Sequence, residues 1–401
     1  MIERKELYKV ISKRIPGEWG DAEGNVKVLR TANFTNDGKI NFSNVVSRKI
    51  DNKNLEKKKL IPGDIIIEKS GGGPKQPVGR VVFFDREDDL FLCNNFTAIL
   101  RCNQSTFSKY LFYYLFSLHK MGVTLKFQNK TTGIINLKLD KYLEKVQIPL
   151  PPLPEQKRIA AILDKADALR QKNKKLLAAY DELLQSVFLD MFGDPVTNPK
   201  GWEKVEFENV IIDIVGGHSV GGEQRPLKDD EFGVLKVSAV TTGTFLNTEF
   251  KAISKNKINK PIITPRKGDL LFSRANTREL VGAVAVVDKN YNKLFLPDKL
   301  WRIDLDYTKA SQFYCHKLLS NSRFRPEMSK IATGTSGSML NISKAKLRKL
   351  RIPLPPVEVQ NKFAQIVENI EAQKALIKQS LIESEDLFNG LVQKAFNGEL
   401  K

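Results

Sequence analysis

Two kinds of hydrophobic pattern alternate along the chain. Short β-rich runs at 26–30, 64–67 and 80–84 are bounded by Gly, Pro and Asp, which predicts strands. Runs at 233–237 and 282–287 predict strands in the second half. An aromatic segment at 107–120, mirrored at 311–320, predicts a buried helix whose aromatics fill a core. From Pro154 to residue 192 the pattern becomes a heptad, with Ile159, Ala166, Asn173, Tyr180 and Val187 at one position and Ile162, Leu169, Leu176 and Leu183 at the other. Pro154 and Glu155 suit a helix start, and Gly193-Asp194-Pro195 ends it. Such a helix spans about 58 Å at 1.5 Å per residue.

The whole pattern is written twice. Ile148-Pro149-Leu150-Pro151-Pro152 recurs 204 residues later as Ile352-Pro353-Leu354-Pro355-Pro356, and Gln156 recurs as Gln360. Pro62-Gly63-Asp64 answers Lys267-Gly268-Asp269, Val78-Gly79 answers Val281-Gly282, and Ile134 to Leu137 answers Met339 to Ile342. Matches in one order at nearly one step indicate an internal repeat. The second heptad places Phe363, Ile370, Ile377 and Leu391 with Ile366 and Leu387, interrupted by Gln373, Ser380 and Ser384. Neither stripe can be buried alone, so the two helices are expected to pair within the chain. The predicted class is therefore α+β: two β-rich domains in tandem, each followed by a long helix. The expected boundaries are 1–147 and 194–351 for the β-rich domains, with 148–193 and 352–401 for the Pro-rich entries plus helices.

Composition narrows the function. Of 401 residues, 65 are Lys or Arg and 46 are Asp or Glu, a net charge of +19 that favours a polyanionic partner. Three cysteines cannot make a disulfide framework in so long a chain, which fits a reducing, cytoplasmic setting. Three histidines lack metal-ligand spacing, and Cys315-His316 reads as helix packing. The start of the chain has no signal-peptide pattern, and the apolar stretch 110–118 is far shorter than the ~20 residues of a membrane span.

Catalytic patterns are weak. Asp140 with Glu155-Gln156-Lys157 formally resembles a nuclease metal site, but the repeat places Val359 opposite Glu155. Gly71-Gly72-Gly73-Pro74 lacks the helix a nucleotide loop requires, and no phosphate-binding Gly-Lys-Ser/Thr loop occurs. The chain reads as one that binds without transforming. A fused nuclease or methyltransferase with built-in specificity, and a general nucleic-acid scaffold, are the alternatives.

The candidate DNA-binding residues lie in matched Gly-flanked loops. In the first copy they are Lys69, Ser70, Gly71, Lys75 and Gln76, with Lys126, Gln128, Asn129, Lys130, Thr131 and Thr132. In the second they are Arg274, Asn276, Thr277 and Arg278, with Lys330, Thr333, Thr335, Ser336 and Ser338. Lys and hydroxyl groups suit phosphates, while Arg, Asn and Gln can pair with base edges. The helix-pairing candidates are the heptad residues above, excepting Asn173 and Val187.

Two β-rich units, each followed by Ile-Pro-Leu-Pro-Pro and a long helix, closely resemble the specificity subunit of type I restriction–modification systems. The match is carried by residues 148–163 and 352–360, the paired Gly-Asp strands, and the Thr132-Gly133 and Thr335-Ser336-Gly337 loops. The resemblance implies two target-recognition domains, each reading one half of a gapped double-stranded DNA site. It implies an antiparallel coiled coil that sets the half-site spacing. It further implies docking of two adenine-methyltransferase modification subunits that use S-adenosylmethionine, and of restriction subunits that use ATP and Mg²⁺. This chain would then bind no cofactor or metal and perform no catalysis. One departure is that Val357-Glu358-Val359-Gln360 replaces the first copy's Pro-Glu-Gln, so the docking of the two modification subunits is expected to differ slightly.

Overall fold

The computed structural model describes residues 3–21, 23–73, 76–131, 134–334 and 339–400. The chain forms two compact units: unit 1 holds Met1–Lys174 and Gln379–Lys401, and unit 2 holds Lys175–Lys378. The division falls inside both long helices, Leu153–Phe192 and Val357–Asn397. Each unit thus owns a β-rich segment and one stretch of each helix.

In unit 1 a four-stranded antiparallel sheet runs in the order Ile11–Pro16, Thr97–Cys102, Ile65–Glu68, Val81–Phe83. A three-stranded sheet orders Val46–Arg48, Val26–Leu29, Phe91–Cys93, its second pair parallel. Unit 2 repeats both, as Ile211–Gly216, Leu300–Leu305, Leu270–Ser273, Val284–Val286 and as Phe250–Ser254, Glu231–Leu235, Leu294–Phe295. The aromatic segment forms the helix Ser108–Lys120, with every residue from Tyr110 to Leu118 buried. Its counterpart is Gln312–Ser320.

The repeated Pro-rich motif joins sheet to helix. Gln147–Pro149 pairs with Arg4–Glu6, and Arg351–Pro353 pairs with Lys204–Glu206. The following prolines offer no amide donors, so the junction carries surplus carbonyls. Buried Gln156 accepts from Phe107 N–H (2.8 Å) and donates to the carbonyls of Pro151 (2.8 Å) and Ser105 (3.0 Å). Buried Gln360 makes the same three bonds, with Ser311 N–H (2.9 Å), Pro355 O (2.8 Å) and Lys309 O (3.1 Å). Tyr110 and Tyr314 donate to the carbonyls of Pro149 and Pro353.

Inside each unit the two helix stretches run antiparallel. In unit 1, Asn173 donates to Ser380 Oγ (3.1 Å), Arg170 stacks 3.9 Å from the centre of the Phe388 ring, and Arg158 donates to Leu400 O. In unit 2, Lys374 bonds Asp181 at 2.8 Å, and Phe188 and Phe192 both pack on Phe363. Ile159, Ala166, Phe363 and Ile370 are buried as expected, and Ile162, Tyr180, Ile366, Ile377 and Leu391 are half-buried.

Four expected seam residues are corrected. Leu169, Leu176, Leu183 and Leu387 are 43, 37, 45 and 50% exposed. At three of these places the next residue is buried instead: Arg170 and Leu184 on one helix, Phe388 on the other. The physical reason is that polar side chains hold seam positions by finding partners there. Arg170 pairs with Asp167 (2.7 Å), and Asp167 also meets Lys39 (2.5 Å). Burial pushes the Asp167 carboxyl up, yet these two cations hold it below the usual range.

Lys39 belongs to a turn that clips the β-rich segment of unit 1 to its helices. Asp37 in the same turn bonds Lys174 at 3.0 Å. Between them Gly38 has φ +76°, and a Cβ there would come within 2.8 Å of the Phe112 ring.

Two outcomes are expected from urea unfolding. Gln360→Leu removes the partner of two buried backbone groups and of the part-buried Lys309 carbonyl, and should lower stability by about 3 kcal/mol, at roughly 1–3 kcal/mol per buried group left without a partner. A loss under about 1 kcal/mol would show that the bracket is dispensable. Leu184→Ala should cost ~2–5 kcal/mol and Leu183→Ala about 0.5 kcal/mol or less. The reverse order would return the seam to the Leu183 position.

Candidate nucleic-acid interface

The two predicted loops of unit 1 meet in a small sheet. Ser70–Gly72 and Gln128–Thr131 flank Ile134–Leu137 on either side. Register places Asn129 and Ser70 each opposite Asn136, and Ser70 Oγ donates to Asn136 Oδ1 at 2.6 Å. Lys69 is anchored through its backbone alone: its N–H donates to Phe96 O (2.9 Å) and its carbonyl accepts from Leu137 N–H (2.8 Å). Gly71 is exposed beside it. Gln76 is exposed and pairs with Gly73 through the backbone, and Lys126 is exposed in the turn Val123–Phe127. Gln128 is turned inward, donating to Val78 O at 3.0 Å. Lys130 and Thr131 contribute backbone to the outer strand. Lys75 and Thr132 lie outside the described residues.

Unit 2 builds the same corner. Arg274 N–H donates to Lys299 O (3.0 Å), and its carbonyl accepts from Ile342 N–H (2.9 Å). Lys69 and Arg274 are therefore structural counterparts, held by one pair of backbone bonds. Ala275–Asn276 pairs with Leu340–Asn341, and Thr333 bridges Asn341 through two 2.8 Å backbone bonds. The Arg274 guanidinium lies 5.7 Å from the Trp301 ring centre, with a buried Nε that has no partner among the described residues. Asn276 accepts from Thr277 N–H, and exposed Arg278 receives Ser329 Oγ on its carbonyl. Lys330 is engaged by Glu327 at 2.7 Å. Thr335, Ser336 and Ser338 lie outside the described residues.

A basic cleft beside the unit 1 corner joins the candidate Lys69 to three cations that were not among the candidates. It measures about 540 Å³ and is lined by Arg14, Lys69, Lys138 and Lys141, with Asp140 paired to Arg14. The available signal was positional: Lys138 and Lys141 directly follow the Ile134–Leu137 strand. Lys344 and Lys346 follow Ile342 in the second copy.

The formal catalytic patterns are occupied otherwise. Glu155 is bound by Arg158 at 2.7 Å, and Asp140 by Arg14. Burial pushes the Cys315 thiol up to about 12 and the His316 imidazole down to about 4, so neither is charged near neutrality. Among the described residues no group of His, Cys, Asp and Glu has metal-site geometry, and no helix is long and apolar enough to cross a membrane.

The likeness to known proteins follows the repeat. The family model described as the type I restriction modification DNA specificity domain matches residues 5–179 and 199–385. The chain is 28% identical over 394 residues to the type I restriction enzyme EcoKI specificity subunit of Escherichia coli strain K12, covering 93% of this chain and 82% of that protein. It is 30% identical over 176 residues to the EcoEI specificity subunit of Escherichia coli, covering 44% of this chain and only 30% of that protein. The fold is similar to a crystal structure of the S subunit of a type I restriction–modification system from M. genitalium, with TM-score 0.57 and 14% identity over 99% of this chain and 96% of that one. With both of its halves matched by the same model, the chain belongs to the family of type I restriction–modification DNA specificity subunits.

Proposed function

We propose that this chain is the non-catalytic reader of a type I restriction–modification complex in the cytoplasm, and that each unit reads one half of a gapped duplex target. The observation that carries this is the doubled corner: Lys69 and Arg274 sit at one backbone position of two copies of one fold, each beside a strand that carries Asn136 or Asn341. Cations and hydroxyls around each corner would hold phosphates, and the amides and Arg274 would address base edges. Lys69, Lys138, Lys141 and Arg14 would make binding steeply salt-dependent. Asn129, Asn276 and Thr333 remain reading candidates, Asn276 through its amide NH2 since its Oδ1 accepts from Thr277 N–H, whereas Ser70, Gln128 and Lys330 are engaged within the protein.

The exposed leucines find a role in the same reading. Leu176 and Leu183 form an exposed row one heptad apart on the unit 2 stretch of the helix. We assign this row to the docking of two modification subunits, which would bring S-adenosylmethionine, with restriction subunits supplying ATP and Mg²⁺ chemistry.

Exchanging residues 274–278 should change recognition at one half-site and leave the other unaltered, as read by methylation mapping of DNA modified by the assembled complex. Arg274→Ala alone should cost about 1–3 kcal/mol of discrimination at one base pair. Simultaneous change at both half-sites would sink the two-reader assignment. A seven-residue insertion in both helices, after Lys174 and after Lys378, preserves their antiparallel register. It should lengthen the tolerated gap between half-sites, and an unchanged gap would show that the helices are not the ruler.

A further inference from the structure

Phe96 is a large apolar side chain standing out of the unit 1 corner, 42% exposed. It occupies the turn between Phe91–Cys93 and Thr97–Cys102. That turn is rigid: buried Thr97 returns both its N–H (3.0 Å) and its Oγ1 (2.7 Å) to Asn94 O. The Phe96 carbonyl accepts from Lys69 N–H and from Ser70 N–H (3.1 Å), which ties the turn to the candidate reading strand. A Cβ on Gly71 would lie 3.8 Å from Phe96 Cδ2, so the ring stands beside bare backbone. Ile134, across the hairpin, is 47% exposed.

Covering the exposed ring with an apolar partner would be favourable. The surroundings define which partner fits. Lys69 and the adjoining cleft cations Arg14, Lys138 and Lys141 favour a polyanion. Phosphates and sugars of duplex DNA offer a ring little, but the major groove presents one apolar group, the C5-methyl of thymine. Unit 2 supplies the internal contrast. There the carbonyl that receives Arg274 N–H belongs to Lys299, so a cation stands where unit 1 has the ring.

We propose that Phe96 is a specificity-determining residue of unit 1, its ring packing on a thymine C5-methyl in the major groove, while Lys299 gives unit 2 no thymine preference at the equivalent place. The inference rests on the DNA-reading assignment above, and its test separates the two. The full chain, with any co-purifying subunits retained, is used to select binding sites from a pool of random-sequence duplexes. The half-site of unit 1 is the one unaffected by exchange of residues 274–278. Each thymine of the selected duplex is then replaced singly by deoxyuridine, which lacks only the methyl group.

The expected result is one thymine in the unit 1 half-site whose replacement weakens wild-type binding about three- to tenfold. Phe96→Ala should weaken binding to the thymine duplex by a similar factor and erase the thymine–deoxyuridine difference there, leaving the other half-site unchanged. Sequence-selective binding with no methyl-sensitive position in that half-site overturns the inference and spares the DNA-reading assignment. So does a Phe96→Ala chain that keeps the full thymine preference. A wild-type chain that selects no sequence overturns the assignment and the inference together. The deoxyuridine arm uses unmodified protein, so the folding of the variant does not decide the matter.

Discussion

The structure depends on one buried amide, used twice. At each Pro-rich junction the chain must turn from a strand into a forty-residue helix through prolines that donate no hydrogen bonds. Carbonyls are left over there, and a neighbouring helix start carries an unpaired N–H. A single glutamine closes both deficits, since its amide is donor and acceptor at once. Gln156 and Gln360 therefore fix the long helix, the Pro-rich entry and the aromatic helix to one another. Everything placed on the sheets inherits its orientation relative to its helix from that bracket. The departure at Val357-Glu358-Val359 is harmless to it, because the residue that matters, Gln360, is kept.

The helix seam shows a second use of polar chemistry. A uniformly apolar stripe would let two antiparallel helices slide by a heptad at little cost. Asn173 against Ser380 and Ser384, and Lys374 against Asp181, are bonds between the two helices that hold in one register alone. Buried charge is weak evidence for net stability, since desolvation opposes the attraction. Its consequence here is alignment, because any slip would strand these groups without partners.

These two features explain what was legible in the sequence. The repeat, the α+β class, the buried aromatic helix and the paired long helices follow from periodicity and from short exact matches. The seam was misread because a search for apolar residues picks Leu169 over Arg170 and Leu387 over Phe388. The spacing of Asp167 and Arg170 suggests their ion pair, but nothing in the sequence reports that Arg170 has Phe388 to lie on. The corner was legible as two loops per copy, but the sheet that joins them was not, because pairing of Ser70 with Asn136 is a contact between distant segments. Phe96 was invisible for a related reason: its meaning comes from backbone bonds to Lys69 and Ser70, and the repeat has no aromatic at the matching place.

That mismatch between copies shows how one framework can carry two different sets of side chains. The bonds that build each corner run almost wholly through backbone: Lys69 and Arg274 are held by N–H and C=O, as are their acceptors Phe96 and Lys299. A backbone bond is indifferent to the side chain above it, so lysine can become arginine, and phenylalanine lysine, without disturbing the frame. At the junction, by contrast, side chains make the bonds, and the two copies share the same glutamine and tyrosine. Geometry is thus fixed by side chains where the copies agree. At the corner, where they differ, geometry is fixed by backbone, and the side chains above it are free to differ between the copies.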